Sequence, residues 1–225
     1  MTNIYLIRHG FTPANNASYN GQTGLRSIAD NENMPLEINY GIKQAQELGV
    51  FLNNISGKTK IFVSPYKRCQ ETLNYALDNM DKKYEIETRN DIYEIDAGVF
   101  YARTIDEVLK DYPEYSKNIE ELKKDKYGTK YGNGESQYDV RDRVKDFSMM
   151  IKDLSNENIY DNIFIIAHGV VNRWINFWLT DDILEHQQKN CEVLFIKDNR
   201  YKLVFTPKTF VPKGYIVDIK KHKNL

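Results

Sequence analysis

Two short apolar segments that each end in a His-Gly pair constrain the fold of this chain more than any other feature. Residues 4–7 run into Arg8-His9-Gly10, and residues 163–167 run into His168-Gly169. Both are rich in β-branched or aromatic residues and closed by a glycine, which is typical of a buried strand that opens into a loop. Neighbouring strands would bring both imidazoles to the sheet edge where open α/β folds bind ligands. We therefore predict a catalytic site there, although either histidine alone is also compatible with a structural strand end.

The bulk properties favour an ordinary cytoplasmic enzyme and give no sign of a nucleic-acid or membrane partner. With 225 residues the chain is long enough for one domain over residues 1–225, and its 31 basic residues nearly balance 32 acidic ones. Cys69, in a helix-like stretch, and Cys191, in a strand-like one, are too few for a disulfide framework. No segment approaches the ~20 apolar residues of a membrane span, and the first residues lack a signal-peptide pattern.

Strand and helix patterns alternate along the chain, which predicts an α/β fold: a three-layer α/β/α sandwich around a mostly parallel sheet. Ser64 is expected to cap a helix that runs to about residue 80, with Pro65 in its first turn. The other predicted elements are helices over 39–52 and 140–154, strands over 60–63 and 84–87, and a hairpin of 193–196 and 201–205 around Asp198-Asn199.

A helical insertion is expected at about residues 104–133. The stretch is dense in Glu and Lys and carries Tyr112, Tyr115, Tyr127 and Tyr131. Acidic and basic residues alternate, so a solvated pair of helices is one interpretation and a lid over the active site is the other. The Gly134-Glu135-Ser136 turn that follows is interpreted as a structural connection in which Ser136 caps the next helix.

Two arginines, Arg8 and Arg68, suggest phosphate chemistry. A phosphoryl group needs several fixed cations, and the planar guanidinium suits its oxygens best. Arg8 precedes His9, and Arg68 lies in the first turn of its predicted helix, where backbone N–H groups also favour an anion.

The ordered motifs of the chain resemble those of the histidine phosphatase superfamily, also called phosphoglycerate mutase-like. The resemblance covers about residues 4 to 173 and is specific because the motifs occur as an ordered set. The matching positions are Arg8-His9-Gly10, Thr12, Asn15, Leu36, Gly41, Gln44, Ala45, Ser64-Pro65, Arg68, Thr72, Glu94, Gly134-Glu135-Ser136 and His168-Gly169.

This resemblance implies a role for each matching polar residue. His9 would be the nucleophile that forms a phosphohistidine, and Glu94 the general acid for the leaving oxygen. The phosphoryl oxygens would be surrounded by Arg8, Arg68, His168 and Asn15. Asp96, two positions beyond Glu94, is the alternative acid, and either desolvation or this neighbour should raise the pKa of Glu94.

The central segment is most similar to fructose-2,6-bisphosphatase domains, which implies a small phosphorylated metabolite such as a sugar phosphate. By the same resemblance Lys126 and Arg173 match basic positions that contact the second phosphate and sugar. We also expect Gly169 and Gln22 at the substrate pocket, although the loop that carries Gln22, residues 16–35, has no clear counterpart in those domains. The chain departs from those domains at Phe11, at Ile105 where they have tyrosine, and at Gly169 where they have glutamine.

Two other functions stay open at this point. A phosphoglycerate mutase uses the same phosphohistidine, although this chain lacks the tryptophan-containing loop of mutases after Asn15. A module that binds a phosphorylated ligand without catalysis is the other alternative. No cofactor is expected, and no metal site is expected either, because His186, His222 and the two cysteines lack zinc-ligand spacing.

Overall fold

A single mixed sheet organises the part of the chain that the structure, a computed structural model, describes: residues 2–15, 32–101, 103, 105–185, 187–213 and 215. Its strands are β1 (Asn3–Arg8), β2 (Thr59–Val63), β3 (Glu85–Thr88), β4 (Asn162–Ala167), β5 (Val193–Lys197) and β6 (Arg200–Phe205). They pair in the order β3-β2-β4-β1-β5-β6. The pairs among β1 to β4 are parallel, while β5 and β6 are added in antiparallel fashion. The expected mostly parallel sheet is confirmed.

Helices cover both faces of the sheet, as expected for three layers. On one face lie α1 (Gly41–Asn53) and α2 (Lys67–Leu77); on the other lie α5 (Gln137–Arg143), α6 (Lys145–Glu157) and α7 (Gly169–Thr180). Successive side chains of β1 point to opposite faces of the sheet, which explains this arrangement. Leu6 packs with α6 and α7, whereas Ile7 packs with α1 and α2. Both residues are fully buried.

The register of β1 and β4 brings the two His-Gly segments together. Arg8 is the partner of Ala167 in the parallel ladder, and the His9 N–H donates to the Ala167 carbonyl at 3.0 Å. Parallel strands end at the same edge of the sheet, so the residues that follow them share one loop region. The prediction that these strands are neighbours is confirmed.

Three details of the expected elements are wrong. The helix after β2 begins at Lys67 with Tyr66 at its N-cap, so Ser64 is not its cap and Pro65 is not in its first turn. The expected helix over 140–154 is two helices, because Val144 ends α5 and begins α6 with non-helical backbone angles. Cys191 lies in a turn with φ of 54° just before β5, although it is buried as expected.

The insertion contains two helices, α3 (Ile105–Asp111) and α4 (Ser116–Lys124), joined by the 3₁₀ turn Pro113–Tyr115. It has a small core of its own, in which Phe100 and Val108 are fully buried. Ser136 caps α5 as expected, in a reciprocal capping box with Asp139. The hairpin of β5 and β6 around Asp198-Asn199 is also confirmed.

None of the helices in the described part of the chain is long and apolar enough to span a bilayer.

Candidate active site

His9 lies in the loop after β1, almost completely buried with 2 % of its surface exposed. Its Nδ1 is 2.8 Å from the Gly10 carbonyl oxygen, and because a carbonyl can only accept, Nδ1 carries the proton. The lone pair is therefore on Nε2. Burial, followed by the charges of Arg68 and Arg8, holds the pKa of His9 well below its usual 6.5. The ring is neutral at pH 7, as a nucleophile must be.

His168 is fully buried at the N-cap of α7, and its ring centroid lies 5.3 Å from that of His9. Its Nε2 is 2.8 Å from the Ser64 hydroxyl. Ser64 Oγ also accepts from the Tyr66 N–H at 3.4 Å. In the tautomer in which the Ser64 hydroxyl donates to Nε2, the imidazole proton of His168 lies on Nδ1. Burial is the main reason why the pKa of His168 lies well below 6.5, with Arg68 contributing next.

Two guanidinium groups supply the positive charge of the site. Arg68 is the second residue of α2 and is fully buried, with its guanidinium carbon 4.9 Å from the centroid of the Tyr66 ring. Arg8 donates through Nη1 to the Gln188 carbonyl at 2.6 Å. Both arginines lower the pKa of His9 and of His168, so both charges are close to both rings.

Gly169 lies beside the Arg8 guanidinium. A Cβ at this position would lie 3.7 Å from Arg8 Nε, in ordinary van der Waals contact, so only a side chain longer than that of alanine would compete with the guanidinium for space. Gly169 is also the first residue of α7, whose N-terminal N–H groups favour an anion at the same place.

Asn15 and Asn190 connect the nucleophile loop to the segment before β5. Asn190 Nδ2 lies 3.1 Å from the His9 carbonyl and 2.9 Å from Asn15 Oδ1. Asn15 Oδ1 also accepts from the Thr12 N–H at 3.2 Å. The Asn15 oxygen thus accepts two hydrogen bonds, so the amide N–H groups are the donors of this side chain. Asn190 was not predicted, because residues 182–192 carry no periodic pattern.

Glu94 is the carboxyl group that faces the arginines. It is half-buried and its Oε1 accepts from the Ile95 N–H at 3.0 Å. Burial raises the pKa of Glu94, against the smaller opposing effects of that hydrogen bond and of Arg68 and Arg8. Asp96 is arranged differently, because its Oδ1 accepts from the Gly98 N–H at 2.8 Å within its own turn. The geometry therefore favours Glu94 over Asp96 as the acid.

Tyrosines surround this carboxyl group and the histidine pair. The Tyr66 ring lies edge-on to His168 with 5.3 Å between centroids, and the Tyr66 hydroxyl is hydrogen-bonded to Tyr101. The Glu94 charge raises the pKa of both Tyr66 and Tyr131, although burial is the larger cause for each. Tyr131 comes from the end of the insertion, which places that segment at the entrance of the site.

The other expected substrate residues, Arg173 and Lys126, differ in their contacts. Arg173 donates to the Leu184 carbonyl at 3.0 Å and to Gln137 Oε1 at 2.9 Å, and its charge lowers the pKa of Tyr131. Lys126 is exposed, with its ammonium 4.7 Å from the centroid of the Tyr127 ring. The expected contribution of Gln22 lies outside the described residues, as do His186 and His222.

Arg8, His9, Arg68 and His168 lie close together with Glu94 at their side, and we call this group of residues the cradle. A neutral imidazole with a free lone pair, two fixed cations and a carboxyl group with a raised pKa are the parts that phosphoryl transfer to histidine requires. Within the described ranges, no three His, Cys, Asp or Glu side chains are grouped so that they could hold a metal ion.

The chain matches the sequence profile of the histidine phosphatase superfamily (branch 1) over residues 4–205, and it belongs to that family. This range contains every residue of the cradle.

Comparison with individual proteins agrees with this assignment. The chain is 31 % identical over 137 residues to fructose-2,6-bisphosphatase of Saccharomyces cerevisiae, covering 60 % of this chain and 27 % of that protein. It is 29 % identical over 180 residues to 6-phosphofructo-2-kinase/fructose-2,6-bisphosphatase of Gallus gallus, covering 79 % of this chain and 33 % of that one. The chain thus spans a third or less of the length of these relatives.

Among solved structures, the alpha-ribazole phosphatase of Shigella flexneri superposes with a TM-score of 0.69 at 23 % identity, covering 94 % of this chain and 98 % of that one. At this level of identity the likeness shows the shared fold alone.

Proposed function

We propose that this protein is a phosphatase that hydrolyses phosphomonoesters of small metabolites through a phosphohistidine on His9. The observation that carries the proposal is the tautomer of His9: Nδ1 donates to the Gly10 carbonyl, so the Nε2 lone pair is available beside Arg8 and Arg68. Taken singly, the histidine, the two arginines and the carboxyl group could each have a structural role. Their presence together in one cradle supports catalysis over binding alone.

In the first step, Nε2 of His9 attacks phosphorus and forms an N–P bond while the bond to the leaving oxygen breaks. The leaving oxygen takes its proton from the Glu94 carboxyl, which burial helps to keep protonated. Arg8 and Arg68 stabilise the charge that develops on the three equatorial oxygens. His168 donates through Nδ1 to one of these oxygens, with Ser64 fixing the ring through Nε2.

In the second step, a water molecule attacks phosphorus and the N–P bond breaks. The Glu94 carboxylate left by the first step takes the proton of that water, which returns Glu94 to its acid form and His9 to its neutral form. Inorganic phosphate leaves. The two guanidinium groups provide the charge stabilisation that a metal ion supplies in other phosphatases, so we propose that the reaction is independent of metal.

A sugar phosphate or sugar bisphosphate is the substrate class that we propose. The similarity to the two fructose-2,6-bisphosphatase proteins supports it. Arg173 lies on α7 and Lys126 in the insertion, and both would bind the part of the substrate that is not transferred. The charges of Arg173 and Glu94 both act on the pKa of Tyr131, which supports this role for Arg173. We also propose a cytoplasmic location, which the two free and buried cysteines support.

The test is a panel of phosphorylated metabolites, assayed for phosphate release with a chelator and no added metal. Wild-type protein should release phosphate from at least one sugar phosphate, and rapid acid-free quenching should trap phosphate on His9, located by peptide mass spectrometry. Protein that binds these compounds without releasing phosphate would contradict the proposal. A phosphate found on another residue would contradict the assignment of His9.

Product analysis separates hydrolysis from the mutase alternative. A phosphatase gives inorganic phosphate and a dephosphorylated product, whereas a mutase returns the group to a phosphoglycerate. Incubation with 3-phosphoglycerate should therefore yield no 2-phosphoglycerate.

A further inference from the structure

A salt bridge between Glu135 and Arg143 lies beside the segment that carries Glu94. Arg143 Nε is 2.9 Å from Glu135 Oε1, and Arg143 Nη2 is 3.0 Å from Glu135 Oε2, so the pair is bidentate. Only 15 % of the Arg143 side chain and 17 % of that of Glu135 are exposed. A charge pair of this geometry in a mostly buried place is rigid.

Both members of the pair also bind the backbone, one on each side of Glu94. Arg143 Nη1 donates to the carbonyl of Tyr93 at 3.0 Å, immediately before Glu94. Glu135 Oε2 accepts from the N–H of Asp96 at 2.9 Å, two residues later. This single ion pair therefore holds residues 93–96 at both ends. These residues belong to neither a helix nor a strand.

Further contacts tighten this attachment. The Arg143 guanidinium carbon lies 3.6 Å from the centroid of the Tyr93 ring. A Cβ on Gly134 would lie 2.3 Å from the Asp96 carbonyl oxygen, so only glycine permits the two backbones to approach this closely. Gly134 and Glu135 therefore hold residues 93–96 in place, in addition to connecting the insertion to α5.

We propose that Glu135 and Arg143 are positioning residues for Glu94, which they hold at the distance needed to protonate the leaving oxygen. This inference rests on the proposed phosphatase activity. A displacement of about 1 Å in a catalytic group can cost about a hundredfold in rate, so a carboxyl group on irregular backbone needs such a support. Neither residue touches the substrate in this proposal.

The dependence of rate on the leaving group tests this role. Phenyl phosphate has a poor leaving group that needs a proton, whereas dinitrophenyl phosphate has one that leaves without it. Lysine at position 143 cannot make the bidentate pair and the carbonyl contacts together. Arg143→Lys and Glu135→Gln should each lower kcat/KM for phenyl phosphate at least about tenfold more than for dinitrophenyl phosphate. Glu94→Gln, which removes the acid itself, sets the upper limit of this change.

Arg89→Lys is the matched control. Arg89 makes a comparable bidentate pair with the Asp91 side chain, with distances of 3.1 Å and 2.6 Å, and its other side-chain hydrogen bonds go to Glu87 and Met150. Arg143 contacts Asp91 only at its backbone carbonyl, at 2.9 Å, and Arg89→Lys leaves that atom in place. This variant should leave the ratio of kcat/KM between the two substrates at the wild-type value, even if it lowers the melting temperature.

The ratio is independent of how much of a variant is folded, because both substrates sample the same active molecules. An unchanged ratio in both Arg143→Lys and Glu135→Gln would overturn the inference and show a purely structural pair. A shift of equal size in Arg89→Lys would overturn it as well. Wild-type protein that hydrolyses neither substrate nor any metabolite would instead contradict the proposed function.

Discussion

The Ser64 hydroxyl lies 2.8 Å from Nε2 of His168, a contact that joins residues 104 positions apart in sequence. Ser64 follows β2 and His168 follows β4, and the two strands are parallel neighbours with Val63 opposite Ile166. The sheet register therefore sets this contact. It fixes the orientation of a buried imidazole that would otherwise be free to turn about its χ2 bond.

Ser64→Ala should lower kcat about 3- to 10-fold, the worth of one neutral hydrogen bond of about 0.5–1.5 kcal/mol. His168 would lose the partner that fixes its tautomer. Steady-state kinetics with an aryl phosphate measure the effect. Ser148→Ala is the control, because Ser148 is equally buried but donates to the Val144 carbonyl in α6, away from the cradle. Equal kcat in wild type and Ser64→Ala would contradict the role of this contact.

His9→Ala should abolish phosphate release. The variant should still bind inorganic phosphate, since Arg8, Arg68 and His168 remain, and calorimetric titration can measure that binding. Circular dichroism should show an intact fold, because the residue lies in a loop and its ring contacts are with the site. Turnover at more than a small fraction of the wild-type rate would remove His9 as nucleophile.

Glu94→Gln should lower kcat/KM for phenyl phosphate by about 10²- to 10⁴-fold, the usual range for the loss of a general acid. In wild type the rate should decline as pH rises through the pKa of Glu94, which burial raises above 4.5. The acid-side decline should lie below pH 6.5, because the pKa of His9 is lowered. A full pH profile of both proteins tests this: if the decline on the basic side persisted unchanged in Glu94→Gln, another group would be the acid.

Glu94→Gln should also stabilise the fold at neutral pH. Because the pKa of Glu94 is raised on folding, the folded protein binds this proton more tightly than the unfolded chain does. The contribution of Glu94 to stability is thus present below its unfolded pKa of about 4.5 and is lost as pH rises through the folded pKa. The melting temperature of Glu94→Gln should exceed that of wild type at pH 7, with a smaller difference at pH 4.5. A lower melting temperature at pH 7 would contradict a desolvated carboxylate.

Lys126→Ala should raise KM for sugar bisphosphates more than KM for an aryl phosphate, because Lys126 lies in the insertion and would contact only the part of the substrate that is not transferred. Lys124→Ala, at the end of α4, is the control for a change of charge in the same segment. Parallel KM measurements on both substrates distinguish the cases. Equal effects on the two substrates would exclude the insertion from substrate selection.

The convergence of His9 and His168 was predictable from sequence because both residues are tied to local signals. His9 and His168 each follow an apolar strand and precede a glycine, and the period of two in those strands fixes which side chains enter the core. Because β1 and β4 are parallel neighbours, the two histidines that follow them lie at the same edge of the sheet. Ser136 was likewise identified correctly as a cap, because the capping box needs only residues that are three positions apart.

The supporting contacts were not predictable in this way. Ser64 precedes a helix, and serine is a preferred N-cap residue. However, the helix begins three residues later, and the Ser64 hydroxyl is hydrogen-bonded to His168 instead. Asn190 belongs to a segment with no periodic pattern, and its contact with the His9 carbonyl depends on how that segment folds back before β5. The sequence predicts only a turn at Glu135. It contains no local signal that Arg143, the partner of Glu135, binds the Tyr93 carbonyl.

The sequence by itself determined the order of most strands and helices and which polar residues follow the buried strands, since hydrophobic period and short motifs are local properties of the chain. The single-domain organisation over all 225 residues and the catalytic roles of these residues stay predictions. Only the tertiary structure decided the tautomer of His9, the different surroundings of Glu94 and Asp96, and the attachment of residues 93–96. These depend on burial and on hydrogen bonds between distant segments, and neither exists until the sheet has brought the loops together.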